Sequence, residues 1–578
     1  LYSAKRNKFL VIYNENIMQS NAAYDLKSVK LPYLSGAVLK LFVNMLEGPL
    51  GRLLIPSLLK NAGVTKLRQL HFEETPTNFP IHFTGILSTE TAAVPESEWP
   101  KECKSGPGFQ FTSAWDYTEA YKNGKTSPEE VVEKIVTVIK SSDASNFPLR
   151  TFISIKSEEV IKLAQESAQR YKEERVLGPL DGVPVAVKDE VDMIPYPTTV
   201  GTAFLGQSPV TEDSTVVSRL RSKGVLLLGK TNMHEIGIGV TGLNPHHGTT
   251  RNPYNPMHYT GGSSSGSATA VAAGLCPIAI GADGGGSIRI PAALCGMIGL
   301  KTTYGRISEF GAAPLDWSVA HIGPIVANVS DLALGYAVMA GPDPKDPNSL
   351  HQPLPTLKDW NNTDIKGLKI GVFWPWFRHA STEIVAVCER LLKKFEELRA
   401  QIREVIIPDL DAARVAHLIS IAGEMAQAMD RYHAVHHKKH GLDVRINLTL
   451  ARAFTLLDYV KALKVRTRMI NHFKSVFEKV DVIITPSTGI AAPVIPRTAL
   501  PDGDSDLTTL TELMRFTTPA NLTGLPAISF PAGYTKKGLP IGMQAIGRPW
   551  DEVTLLRLAL VAEGLIEKKA PQIHFYIL

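Results

Sequence analysis

Gly261-Gly262-Ser263-Ser264-Ser265-Gly266-Ser267 and, further on, Asp283-Gly284-Gly285-Gly286-Ser287-Ile288-Arg289 bracket one short unit of this chain. Between them a small-residue run, Ala268 to Gly274, reads as a helix, and an apolar run, Cys276 to Ile280, reads as a strand. Consecutive glycines reach backbone angles closed to other residues and leave their N–H groups uncovered. Such N–H groups can converge on one point and hold an anion. Where a serine closes the run, that anion can be the oxygen of a carbonyl the serine has attacked. Ser287 is therefore the candidate nucleophile, and the N–H groups of Gly284, Gly285, Gly286 and Ser287 are the candidate oxyanion hole.

A serine hydroxyl is a poor nucleophile without a base. Upstream, Asp181-Gly182-Val183-Pro184-Val185-Ala186-Val187-Lys188-Asp189 alternates as a strand and ends on a lysine. Delivery to a buried site favours the neutral, basic form of that amine. Gly-Gly-Gly-Ser alone is common in ordinary loops, and a lone lysine is usually a surface group. The combination of two serine turns and a strand-end lysine argues for a Ser-Ser-Lys set: Lys188, Ser263 and Ser287.

These stretches resemble the amidase-signature enzymes. The resemblance is carried by Gly261 to Ala268, by Asp283 to Pro291 and by the Val187-Lys188-Asp189 strand end, with Ser263 and Ser287 separated by 24 positions. Further blocks with the same likeness are Gly229 to Glu235, Gly299 to Arg306 and Gly538 to Gln544. Within the family the chain looks most like the fatty acid amide hydrolases of plants, through its long N-terminal extension and through Gly284, where many members carry Thr or Ile. The resemblance implies an α/β fold with one mixed central sheet flanked by helices on both faces. It also implies that Ser263 bridges Lys188 and Ser287, that Ser264, Asp283 and Arg289 support the site, that no cofactor or metal is needed, and that the enzyme is a homodimer.

Composition agrees with a globular protein: 44% of the 578 residues are hydrophobic and 20% charged. The net charge of +5 comes from 61 basic and 56 acidic residues, with no dominant basic cluster, which argues against a nucleic-acid partner. Cys103, Cys276, Cys295 and Cys388 are widely spaced and favour free thiols over a disulfide framework. No signal peptide is read, because Phe9 to Tyr13 is too short for its apolar core, and no apolar run is long enough to span a bilayer. The expected location is intracellular, peripheral to the endoplasmic reticulum or plasma membrane.

Two regions are expected: an extension over 1–112 and a catalytic domain over 113–578. In the extension, Leu34 to about Lys60 is strongly apolar and is split by Gly48-Pro49 into two short helices. This hairpin either packs on the enzyme body or lies on a membrane surface, where it would collect lipid substrates. Residues 75–112 read as a wandering connector. Ser127-Pro128-Glu129-Glu130 opens a helix with a capping box, and strands then alternate with helices to the C-terminus. Late strands are read at Val482 to Ile484, Ala527 to Phe530 and Ile541 to Ile546, and Ala413 to Lys479 reads as a long mixed stretch.

Three patterns are set aside. Gly262-Ser263-Ser264-Ser265-Gly266 satisfies G-x-S-x-G with Ser264 central, but Asn252-Pro253-Tyr254-Asn255-Pro256 stands where a strand should precede it. Gly237 to Gly242 satisfies G-x-G-x-x-G without a helix to follow. His433, His436, His437 and His440 have helical spacing but lack an ordered carboxylate, and read as a solvated face. The expected activity is hydrolysis of the amide bond in N-acylethanolamines and related fatty acid amides through an acyl-enzyme. The alternatives are an amidase of small amides such as indole-3-acetamide, the amidase subunit of an amidotransferase, and a non-catalytic membrane-surface scaffold.

Overall fold

The computed structural model describes residues 23–29, 32–85, 93–103, 106–500 and 502–578. The Phe9 to Tyr13 run lies outside them. Eleven strands form one mixed sheet: β1 Phe152–Ser154, β2 Pro184–Lys188, β3 Leu226–Thr231, β4 Ile278–Ala282, β5 Ile298–Lys301, β6 Ile322–Val326, β7 Lys369–Val372, β8 Gln401–Glu404, β9 Val482–Pro486, β10 Ala527–Tyr534 and β11 Pro540–Gly547. Their order across the sheet is β8-β7-β9-β11-β10-β5-β6-β4-β2-β3-β1. β2 runs parallel to both β3 and β4, and β7 runs parallel to β8 and β9. The middle of the sheet, from β4 through β6, β5, β10 and β11, is antiparallel.

Every residue of β2, β3 and β4 is buried, as parallel strands covered on both faces must be. β5 and β6 lie at the centre of the sheet and were not among the strands expected from the sequence. The helix over Pro128–Asp143 starts as its sequence requires. Ser127 Oγ accepts from the Glu130 N–H at 3.2 Å, and Glu130 Oε2 accepts from the Ser127 N–H at 3.2 Å. The long stretch after Ala413 resolves into separate helices, of which Leu410–Ala428 (α3 below) and Leu456–Phe477 (α4) pack against each other.

In the extension, α1 (Gly36–Glu47) and α2 (Gly51–Ala62) form the hairpin that Gly48-Pro49 divides. α1 buries Leu39, Val43 and Leu46 against Ile446, and Glu47 accepts a two-pronged hydrogen bond from Arg445. Beyond it, Leu59, Val64, Leu67 and Phe72 join a core cluster with Leu410, Ala416, Ile419 and Phe473. The extension is thus packed on the enzyme body, while Val38, Leu41, Leu50 and Leu53 on the same hairpin stay exposed. No helix among the described residues is long and apolar enough to cross a membrane.

Candidate active site

The parallel pairing of β2 with β4, in register from Val185 opposite Ile278 to Val187 opposite Ile280, brings both C-terminal ends to one place. β2 ends on Lys188. β4 ends on Ala282 and turns directly into Asp283-Gly284-Gly285-Gly286-Ser287. The helix over Ser265–Ala272 packs on the same strands and delivers Ser263 from the turn before it. Two turns far apart in sequence meet because the strands beside them do.

Lys188 is 1% exposed. Its Nζ donates to Ser263 Oγ at 2.8 Å and to the Ala282 carbonyl at 3.2 Å. It also lies 2.6 Å from Glu190 Oε2. The Ser263 carbonyl accepts from the His234 N–H at 3.1 Å, and the Gly262–Ser263 peptide is cis. Ser264 ties the two turns together: its N–H donates to the Ser287 carbonyl at 3.2 Å, and its Oγ donates to the Ala282 carbonyl at 3.1 Å. The strand Asn255–Tyr259 does precede this turn, contrary to the ground on which the G-x-S-x-G pattern was set aside. Ser264 is nonetheless fully buried and bonded to backbone, which leaves it no room to attack a substrate.

Ser287 borders an apolar cavity of about 170 Å³. Its Oγ forms no hydrogen bond among the described residues. The expected contact from Ser263 is therefore formed toward Lys188, while toward Ser287 the link runs through the Ser264 N–H. Loose contacts at a nucleophile are usual without substrate.

Of the four N–H groups expected to hold an oxyanion, that of Gly286 is taken: it donates to Asp283 Oδ1 at 2.6 Å. Those of Gly284, Gly285 and Ser287 have no acceptor among the described residues. Two carbonyls of the same loop are held from outside. His417 Nε2 contacts the Gly284 carbonyl at 2.7 Å, and Thr517 Oγ1 donates to the Gly285 carbonyl at 2.7 Å. Burial pushes the His417 imidazole down to about 4, so near neutral pH it is an uncharged N–H donor. Gly284 has no space for a side chain, since a Cβ there would lie 1.7 Å from Asp316 Oδ2.

Asp283 and Arg289 are both fully buried and paired. Asp283 accepts from the N–H groups of Gly286, Ile288 and Arg289. Arg289 also donates to Gln544 Oε1 at 2.6 Å, to Asn521 Oδ1 at 2.5 Å and to the Thr517 carbonyl at 3.0 Å. Burial opposes the charge on Asp283, but Arg289 and Asn521 outweigh it and hold the carboxyl far below the usual carboxylate range. These two residues clamp the glycine loop to the sheet and do not line the cavity at Ser287.

His234 is structural in its bonding, with Nε2 on Asp443 Oδ2 at 2.8 Å. The other histidines fall apart as a group: His440 turns inward to Glu235 at 2.7 Å, while the rings of His433 and His437 lie tilted against each other, half-buried. Among the described residues no set of three or more His, Cys, Asp or Glu side chains is placed to hold a metal. Glu190, His417, Thr517, Asn521 and Gln544 were missed in the sequence. None left a local signal: Glu190 lies in the turn that follows β2, where the strand's alternation no longer says which way a side chain faces.

The sequence profile of the family named Amidase matches residues 131–556. Fatty acid amide hydrolase of Arabidopsis thaliana is 40% identical over 589 aligned positions, covering 97% of this chain and 97% of that protein. A glutamyl-tRNA(Gln) amidotransferase component from Moorella thermoacetica is 34% identical, covering 79% of this chain and 97% of its own length. Among solved structures, the native peptide amidase of Stenotrophomonas maltophilia superposes with a TM-score of 0.68 at 26% identity, over 80% of this chain and 98% of that one. With its mixed sheet, paired serine turns and buried strand-end lysine, the chain belongs to the amidase-signature family of hydrolases that act on amide carbon–nitrogen bonds.

Proposed function

We propose that this amidase cleaves N-acylethanolamines and related fatty acid amides to the free fatty acid and the amine, using Lys188, Ser263 and Ser287. The observation that carries the reading is the cavity at Ser287. Leu58 and Leu59 from the extension meet Leu418, Ile421, Leu450 and Met514 from the body along its wall. An acyl chain seated there leaves its carbonyl at the serine. The match in length supports the same substrate class. Fatty acid amide hydrolases of plants span 96–98% of this chain, whereas the amidotransferase components span 76–79%.

The chemistry follows from the contacts. Neutral Lys188 takes the Ser263 proton as Ser263 takes that of Ser287, and Ser287 Oγ attacks the carbonyl carbon. The N–H groups of Gly284, Gly285 and Ser287 hold the resulting oxyanion, each typically worth about 3–4 kcal/mol. Ser263 then passes a proton to the departing nitrogen and regains one from Lys188, and water hydrolyses the acyl-enzyme.

The test is hydrolysis across ethanolamides from acetyl to long-chain acyl, in the unsubstituted enzyme and in Leu510→Trp, whose indole would fill part of the cavity. Each buried methylene stabilises by about 0.8 kcal/mol, so loss of room for three costs about 2.4 kcal/mol, or roughly 50-fold in kcat/KM. The long-chain amides are expected to lose that factor and the acetyl amide to be unaffected. Rates of the unsubstituted enzyme that fall as the chain lengthens would leave an amidase without a lipid substrate.

The exposed face of the hairpin completes the reading. Val38, Leu41, Leu50 and Leu53 are 51–76% exposed beside the extension residues that line the cavity, a placement suited to resting on a bilayer. Leu41→Asp/Leu53→Asp is expected to release the enzyme from phosphatidylcholine–phosphatidylserine vesicles in a sedimentation assay. Equal binding by both forms would remove the bilayer from the proposal.

A further inference from the structure

A second cavity, of about 220 Å³, borders the C-terminal end of β4 at Ala282 and shares no lining residue with the acyl cavity. It is bordered by Glu190, Glu309, Asp316, His321, Lys345 and Asp346. A space of that size and polarity can hold several waters. Glu190 connects it to the relay: the residue lines the cavity and places Oε2 2.6 Å from Lys188 Nζ. Gly237 stands over the pair, its missing Cβ 3.5 Å from Ser263 Oγ and 4.0 Å from Glu190 Oε2.

The triad chemistry has no use for this carboxylate, and its placement works against a free base. A carboxylate in contact with an amine favours the charged amine, whereas burial alone favours the neutral one. We propose that Glu190 is a positioning residue for the relay: its carboxylate holds Lys188 as the ammonium, so the Lys188–Glu190 pair sets the acid limb of the rate profile and discharges its proton into the second cavity.

In that step an Nζ–H bond breaks, its electron pair stays on nitrogen, and the proton passes to a Glu190 oxygen and from there to solvent in the cavity. The freed lone pair then accepts the Ser263 proton. The two cavities share no lining residue, so a seated acyl chain does not occupy this exit. Other charged groups face the pair. Asp316 and Glu309 adjoin Glu190 around the cavity, Glu424 acts electrostatically on Asp316, Asp189 sits between Lys188 and Glu190 in the turn after β2, and Lys230 lies on the neighbouring strand β3. Burial first, and then neighbouring carboxylates, push Asp316 and Glu309 well above the usual carboxylate range. Of these carboxylates, Glu190 is the one in contact with the lysine.

This inference rests on the Ser-Ser-Lys reading. Its test follows phosphonylation of Ser287 by a fluorophosphonate, which reports the nucleophile whatever the natural substrate, together with kcat/KM for a fatty acid ethanolamide from pH 5 to 10. Glu190→Gln keeps the shape and removes the charge. The midpoint of the acid limb is expected to fall by about one pH unit or more in both assays. Glu190→Asp, which draws the charge back by one methylene, is expected to shift it part of the way, and this serves if the glutamine variant does not fold. A midpoint that stays or rises in the folded variants, even with a lower plateau, overturns the role of Glu190 and leaves the triad standing. Absence of phosphonylation in the unsubstituted protein overturns the triad itself.

Discussion

Lys188→Ala and Ser287→Ala are each expected to lower kcat/KM for amide hydrolysis by about 10²–10⁴-fold, and the double variant to be no worse than the more damaged single. The reason is the geometry of the relay. Lys188 reaches Ser263 at 2.8 Å and lies on the buried side of it, while Ser287 lies on the cavity side. The lysine therefore acts only through the serines. Once the attacking hydroxyl is gone, the base has nothing to activate. Ser263→Ala, which breaks the link in the middle, should fall in the same range. The measurement is a double-mutant cycle on kcat/KM, with circular dichroism to confirm folding. Losses that multiply would mean that the two residues act independently and that the relay is wrong.

Asp283→Ala is expected to destabilise the protein by about 3–5 kcal/mol, the usual consequence of stripping one partner from a buried ion pair. Arg289 would be left fully buried with its charge uncompensated, and the N–H groups of Gly286, Ile288 and Arg289 would lose their acceptor. The direction with pH follows from linkage. The folded carboxyl is held below its unfolded value of about 3.9, so its contribution is fully present above that pH and is lost as the pH falls toward the folded value. The variant should therefore be compared near pH 7. Replacing both partners, Asp283→Leu/Arg289→Met, should regain much of the stability but not the activity, because the glycine loop would still lack its clamp. Denaturant midpoints for the two variants decide it, and a cost below about 1 kcal/mol for the single change would show that the pair is not what holds the loop.

The residues with chemistry were easier to read than the scaffold that aims them. Lys188, Ser263 and Ser287 stood out because glycine-rich turns and a strand-end lysine are local patterns, and the lysine's burial followed from the alternation before it. The central strand Ile322–Val326 was hidden by its own composition. Gly323 and Pro324 argue against an inner strand, yet a side chain at 323 would lie 2.2 Å from the Leu300 carbonyl of the adjacent strand. The glycine is there because β5 comes so close, which is a fact of the sheet and not of the segment. His417 is one histidine within a long helical stretch, and nothing near it in sequence marks it as the partner of Gly284. Asn521 and Gln544 reach Arg289 from 232 and 255 positions away, beyond any local rule.

The way the extension is seated decides what a shortened chain would be. The family profile begins only at residue 131, which invites the idea of a minimal enzyme cut free of everything before it. Removing the first hundred residues would uncover Leu410, Ala416, Ile419 and Phe473, which Leu59, Val64, Leu67 and Phe72 now cover. It would also open the acyl cavity along the side where Leu58 and Leu59 stand. Such a fragment would be sticky and leaky rather than compact, its reaction centre intact in outline and its greasy interior turned to water.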